Sequence, residues 1–223
     1  MRKGEAMFSQ EQARRFYNRF GKKQDSQGFY ENPALDRLIQ FSDFAKAKEI
    51  VEFGCGTGRF ALRLFSECFP DDAEYFGYDI STTMVDIARQ RLDRYKNRAS
   101  VSLTNGSAAI PLADDSCDRF ISNYVLDLLP LEQIRAVVNE AHRTLHNNGF
   151  LCITNLAFGQ GAVSSAIIAI WRAVHRTFPA AVGGCRPIEV VQFIPEPQWE
   201  IKYNQTVVSW GIPSEILVAR CLK

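Results

Sequence analysis

The stretch IVEFGCGTGRFA, residues 50–61, constrains this chain more than any other. An apolar run leads straight into Gly54, Gly56 and Gly58, and a helical pattern begins at Arg59. Glycines at such a turn permit positive φ and leave no Cβ, so a ligand can approach the backbone closely. The second half of the signal is Asp79 in AEYFGYDIS, 21 residues beyond Gly58 and at the carboxyl end of the next predicted strand. An acid at that spacing accepts hydrogen bonds from ribose hydroxyls. Loop and acid together call for a nucleotide-type ligand. Nicotinamide and flavin proteins favour G-x-G-x-x-G with the pyrophosphate at the helix N-terminus, whereas here G-x-G-x-G follows Glu52. Arg59 at the helix start would still attract an anion, so spacing alone leaves both ligand types open.

Strand and helix patterns alternate from there, which predicts a parallel sheet covered on both faces. Strands are expected at Glu49–Phe53, Glu74–Tyr78, Ser100–Leu103, Arg119–Asn123 and Phe150–Asn155. Helices are expected at Arg59–Cys68, Thr82–Tyr95, Leu131–Leu145 and Ala162–Phe178, with a turn at Asn147-Asn148-Gly149. Trp199–Trp210 and Ser214–Leu222 are two β-rich runs joined through Gly211-Ile212-Pro213, which predicts a closing antiparallel hairpin. Ahead of the first strand, Ser9–Phe20 reads as a capped amphipathic helix, KKQDSQGF as a loop, and Asn32-Pro33 as the start of a second helix. Arg186-Pro187 reads as another proline-started helix. Nothing divides the chain, so 1–223 reads as one domain, an N-terminal helical segment (1–45) ahead of an α/β core (46–223).

The 26 basic and 25 acidic residues leave a net charge of +1, too weak a field to argue for nucleic acid as partner. The N-terminus is charged and lacks the apolar run of a secretory signal. Six scattered cysteines show no C-x-x-C pair or metal-ligand spacing and read as free thiols, so a cytoplasmic protein without a metal is expected. The most apolar stretch, 162–182, is broken by Arg172, His175, Arg176 and Pro179 and reads as a helix, not a membrane span. Three roles stand open for it: covering the sheet, walling an apolar acceptor site, or peripheral contact with a membrane surface.

EFGCGTG followed by YDIS resembles motif I and the ribose acid of the class I S-adenosylmethionine-dependent methyltransferases. PLADDSCDRFISNYVLDLLP and AHRTLHNNGFLCITN resemble that family's middle segments, so the likeness runs from about Val51 to the C-terminus. It implies a Rossmann-like three-layer sandwich with a seven-stranded, mainly parallel sheet closed by the hairpin. It also implies S-adenosyl-L-methionine as cofactor, with Gly54, Cys55 and Gly56 under its amino-acid part and Gly58 completing the loop. Asp79 would bind the ribose, and Glu52 would reach the methionine ammonium through water. Ile80 and Met84 would flank the adenine, although core packing explains them equally well. The family's Gly-Asp-Ala is replaced by Gly106-Ser107-Ala108, so Ser107 and Ala108 are left to meet the adenine amino group. Asn123 and Tyr124, ending the fourth strand, stand where cofactor and acceptor meet; a strand cap is the other reading of Asn123.

Methyl transfer from a sulfonium needs alignment and water exclusion more than a base. The resemblance makes the N-terminal segment a lid, which brings in Tyr17. Asp127 is a candidate to orient or deprotonate an acceptor, or simply a helix-initiating acid. SNYV stands where N-P-P-Y would mark transfer to bases or glutamine, so direct transfer to a small, apolar or amphipathic acceptor is the expected activity. An NAD(P)-dependent oxidoreductase and a non-catalytic cofactor-binding module are the alternatives.

Overall fold

The computed structural model describes residues 7–223, so the first six residues of the expected lid lie outside it. Seven strands form one sheet in the order β3-β2-β1-β4-β5-β7-β6. They are β1 (Glu49–Phe53), β2 (Glu74–Asp79), β3 (Ala99–Leu103), β4 (Cys117–Asn123), β5 (Leu145–Leu156), β6 (Trp199–Ser209) and β7 (Ile212–Cys221). The first five run parallel; β7 is antiparallel to both β5 and β6.

Period-two alternation sorts the strand side chains between two cores. Ile50, Tyr75, Ile121, Cys152, Ile216 and Val218 face helices α2 (Gly28–Phe41), α3 (Arg59–Glu67) and α4 (Thr82–Arg91). Their neighbours Val51, Phe120, Leu151, Ile153, Leu217 and Ala219 face helix α5 (Leu131–Thr144) and the segment 188–194. The result is the three-layer α/β arrangement expected.

Several local expectations are corrected. The polar stretch after α1 (Gln10–Phe20) is a 3₁₀ helix, Gly21–Gln27, and α2 starts at Gly28, placing Pro33 inside the helix. Proline cannot donate to the carbonyl four residues back; that carbonyl, Phe29 O, instead accepts from the Ser209 hydroxyl at 3.4 Å. Helix α4 ends at Arg91 and a separate 3₁₀ turn covers Asp93–Tyr95. Asn147-Asn148-Gly149 makes its turn inside β5, as a register shift against β4 with Asn148 at φ 70°. No helix starts at Pro187; a short 3₁₀ turn forms at Val190–Phe193. The hairpin turns at Trp210-Gly211, both at positive φ, which leaves Ile212 and Pro213 in β7. Helix α6 (Gly161–Thr177) is the expected apolar helix, and no helix among the described residues is long and apolar enough to cross a membrane.

Candidate active site

The carboxyl ends of β1, β2 and β4 open into a cavity of about 210 Å³ whose roof is α1 and the 3₁₀ helix behind it. The three loop glycines share positive φ (79°, 52° and 71°) but differ in what surrounds them. A Cβ on Gly54 would meet Val125 at 2.3 Å, and one on Gly58 would meet Ala88 at 3.1 Å, so these two glycines are needed for packing. A Cβ on Gly56 would meet nothing within 4 Å, because Gly56 faces the cavity. The turn is stapled to β2, since the N–H groups of Gly54 and Cys55 both donate to Tyr78 O (2.8 and 3.0 Å).

Asp79 lies on the cavity floor beside that turn. Its Oδ2 accepts from Gly56 N at 2.9 Å and its Oδ1 from Ser81 N at 2.8 Å. Burial pushes its carboxyl up to about 6, and those backbone donors limit the rise. Ile80, Met84, Asn123 and Tyr124 line the same cavity. Tyr124 holds φ 54° and donates its hydroxyl to Ser214 Oγ at 2.8 Å, which fixes the ring against the cavity.

Other residues named from the sequence sit elsewhere. Glu52 is beneath the floor, 2% exposed, accepting from the Tyr75 hydroxyl at 2.6 Å and from Asn123 Nδ2 at 3.4 Å. Burial raises it to about 7. Asn123 in turn accepts from the Thr154 hydroxyl at 2.8 Å, so it links Glu52 to the cavity wall. The Cys55 side chain is buried in the core and is not part of the cavity lining. Ser107 and Ala108 line an adjoining open cleft that shares Gln10, Gly106 and Gln133 with the cavity. The Ser107 hydroxyl accepts from Ala109 N within its own loop.

The two candidates for acceptor chemistry separate clearly. Tyr17 lines the cavity and donates its hydroxyl to Gly183 O at 3.2 Å; burial pushes its phenol far up, so it stays neutral. Asp127 is fully buried and outside the lining, with Oδ2 accepting from Leu156 N at 3.0 Å. Burial raises it to about 7, and the Leu156 N–H and the Arg186 charge oppose that rise. It joins the turn after β4 to the end of β5. None of the three histidines lines the cavity, and neither does any residue of 161–182. Helix α6 does not border this cavity: Ile168 and Trp171 pack with Leu156 and Cys185 in a small cluster of their own.

The roof is the N-terminal segment expected as a lid, but apart from Tyr17 its individual residues were not singled out from the sequence. Phe8, Ser9, Gln10, Ala13 and Gln24 line the cavity beside Tyr17. Gln10 Nε2 donates to Gly106 O at 2.9 Å, and the Ser81 hydroxyl to Asn18 Oδ1 at 2.7 Å. Asp25 pairs with Arg91 at 2.6 Å and accepts from the Thr57 hydroxyl at 2.7 Å. Their traces in the sequence are the capped helix Ser9–Phe20 and, for Gln24 and Asp25, the density of aromatic and amide side chains between Phe16 and Glu31.

A sheet of this order, with a glycine loop and an acid at the ends of its first two strands, is the class I S-adenosylmethionine-dependent methyltransferase architecture. Residues 50–149 match the family model of the methyltransferase domain. The malonyl-[acyl-carrier protein] O-methyltransferase of Marinomonas sp. (strain MWYL1) is 26% identical over 154 residues, 68% of this chain and 54% of that protein. Its namesake from Hahella chejuensis is 31% identical over 121 residues, 54% of this chain and 41% of that protein. The chain spans about half the length of the curated relatives it matches. Among solved structures, the N-methyltransferase NodS from Bradyrhizobium japonicum WM9, in complex with S-adenosyl-l-homocysteine, superposes with a TM-score of 0.66 at 17% identity, covering 86% of this chain and 88% of that one. In fold, and in sequence over residues 50–149, the chain is similar to the class I S-adenosylmethionine-dependent methyltransferases.

Proposed function

We propose that the protein is a methyltransferase that moves a methyl group from S-adenosyl-L-methionine directly to a small, apolar or amphipathic acceptor. The observation that carries the reading is Gly56: alone among the loop glycines its missing Cβ faces open cavity, and Asp79 stands hydrogen-bonded to its N–H. A backbone bared toward a void beside an acid suits a ribose and its 5′ substituent. The cofactor, when bound, supplies an electrophilic methyl group on a sulfonium.

The chain's own residues hold and shield. Asp79 accepts from the ribose hydroxyls, Gly56 lets the amino-acid part approach, and Ile80 and Met84 bound the adenine. Asn123, braced by Glu52 and Thr154, stands where the two ligands meet. The acceptor end is apolar, with Tyr124, Val125, Leu128 and Leu129 below and Tyr17 above. The lid formed by the N-terminal helices keeps water out and presses the acceptor toward the donor. No side chain of this wall is placed as a strong base, so alignment supplies the catalysis.

Calorimetric titration tests the reading. Tight binding of S-adenosylhomocysteine without binding of NADH or NADPH is expected; the reverse would replace it with oxidoreductase chemistry. Transfer of label from methyl-labelled cofactor to a metabolite extract is expected as well, and cofactor binding without any transfer would make the protein a binding module.

A further inference from the structure

Each polar side chain on a cavity wall poses a question of hydrogen-bond partners, because a buried polar atom without one costs free energy that a ligand can recover. In this cavity the hydroxyls of Tyr17 and Tyr124, the amides of Gln10 and Asn123, and the Asp79 carboxylate are all engaged with protein groups. Among the described residues that line it, one carries a buried side-chain atom with no partner: Gln24, whose Oε1 is sealed from solvent and accepts from nothing.

The position of Gln24 narrows what it can meet. The lid is fastened to the floor at two ends. At one end Gln10 binds Gly106 O, and a Cβ on Gly106 would meet the Ile80 side chain at 2.8 Å, so this end lies over Ile80. At the other, Asp25 takes the Thr57 hydroxyl and the Arg91 guanidinium, and Thr57 directly follows Gly56. Gln24 precedes Asp25 and is therefore held at the glycine-loop end, with Asp79 between it and the Gln10 end. A cofactor laid with its adenine on Ile80 and its ribose on Asp79 extends its amino-acid tail toward Gly56 and Gln24. The unpartnered atom is an acceptor, and that tail carries an α-ammonium donor. An uncharged carboxamide oxygen accepts from a cation without needing a change of its own charge.

We infer that Gln24 reads the amino-acid end of the cofactor, its Oε1 accepting from the α-ammonium group. The inference rests on the cofactor reading above and goes beyond it. The lid then distinguishes the full methyl donor from nucleosides that share its adenosine, and it closes on the donor independently of the acceptor.

The test compares two probes that differ only at that end: S-adenosylhomocysteine, and 5′-methylthioadenosine, which keeps the adenosine and thioether and lacks the amino acid. In Gln24→Ala, S-adenosylhomocysteine should bind about ten- to a hundredfold more weakly, the loss typical of a hydrogen bond to a charged group, while methylthioadenosine affinity stays as in the wild type. Gln24→Glu, which keeps the acceptor and adds a charge, should hold S-adenosylhomocysteine at least as well as the wild type. Equal loss for both probes in Gln24→Ala would make Gln24 a structural residue and overturn the inference alone, as would no loss for either. Loss in Gln24→Glu as large as in Gln24→Ala would overturn the ammonium assignment. A wild-type protein that binds neither probe would overturn the cofactor reading and this inference with it.

Discussion

The floor and the roof of the cavity are built by different means. The floor is backbone: a glycine turn stapled to Tyr78 O, with the Asp79 carboxylate held by two N–H groups. The roof is side chain, with Gln10, Tyr17 and Gln24 projecting from helices whose fastenings are scattered over Gly106, Gly183, Thr57 and Arg91. A backbone floor fixes the ligand's common part with little room for variation. A side-chain roof can change residue by residue.

The sharpest way to break this contrast is at the glycines. Gly56→Val fills the space that the ligand needs, and Asp79→Ala removes the acceptor of Gly56 N and Ser81 N. Each should weaken S-adenosylhomocysteine binding by about a hundredfold or more by calorimetry. Gly58→Ala strains a residue at φ 71° and presses on Ala88, so it should lower the folding free energy by about 1–3 kcal/mol while leaving cofactor affinity nearly intact. If Gly58→Ala instead removes binding and spares stability, the division of labour among the glycines is wrong.

A smaller effect concerns the carboxyls around the floor. Burial raises Glu52, Asp127 and Glu31 to about 7 and Asp79 to about 6. In each case the folded state keeps its proton at pH values where the unfolded chain has released it. The contribution is therefore fully present in acid, below the ordinary carboxylate range, and is lost as pH rises toward about 7. The melting temperature of the ligand-free protein should fall between pH 5 and pH 8. Glu52→Gln should flatten that slope, by roughly 3 kcal/mol of pH-dependent stability at most. An unchanged slope would mean that Glu52 is ionised in the folded protein across this range.

The smallest expected effect lies behind the roof. Val163, Ile170 and Phe178, each at least 66% exposed, project from or just after α6 beside Arg172 and Arg176, and α6 contains no acid. That combination predicts peripheral contact with an anionic lipid surface. Vesicles of phosphatidylglycerol and phosphatidylcholine should sediment the protein weakly at low salt, and Ile170→Glu should reduce the bound fraction several-fold. Equal sedimentation with pure phosphatidylcholine, or none with either, would remove the membrane from the account.

The same contrast decides what could be read from the sequence. The floor was legible because its physical demands are local: an apolar strand, glycines where Cβ cannot stand, and an acid one strand later. Gly54, Gly56, Asp79, Ile80, Met84, Asn123 and Tyr124 all border one cavity. The roof was legible only as an N-terminal lid with Tyr17 in it, because the placement of its other residues depends on distant partners. The start of α2 was misplaced because Pro33 is tolerated inside the helix only with Ser209, 180 residues from Phe29, at the carbonyl it leaves free. Asn147-Asn148-Gly149 keeps its turn chemistry, but as a bulge between the pairs Leu145–Cys117 and Phe150–Arg119 and not as the end of the strand. Cys55 is turned into the core by packing, and Ser107 and Ala108 line the adjoining cleft instead of the cavity.

The placement of β7 has a consequence for how the molecule is made. Ile212–Cys221 is hydrogen-bonded between β5 and β6, so a strand that leaves the ribosome after the other six occupies an interior place in the sheet. During synthesis the glycine turn and its acid are complete more than a hundred residues earlier, while the edge of β5 waits unpaired. Such an edge invites pairing with other chains until β7 arrives. Substitutions that slow the β6–β7 hairpin should therefore reduce the yield of soluble protein before they alter any property of the protein that folds.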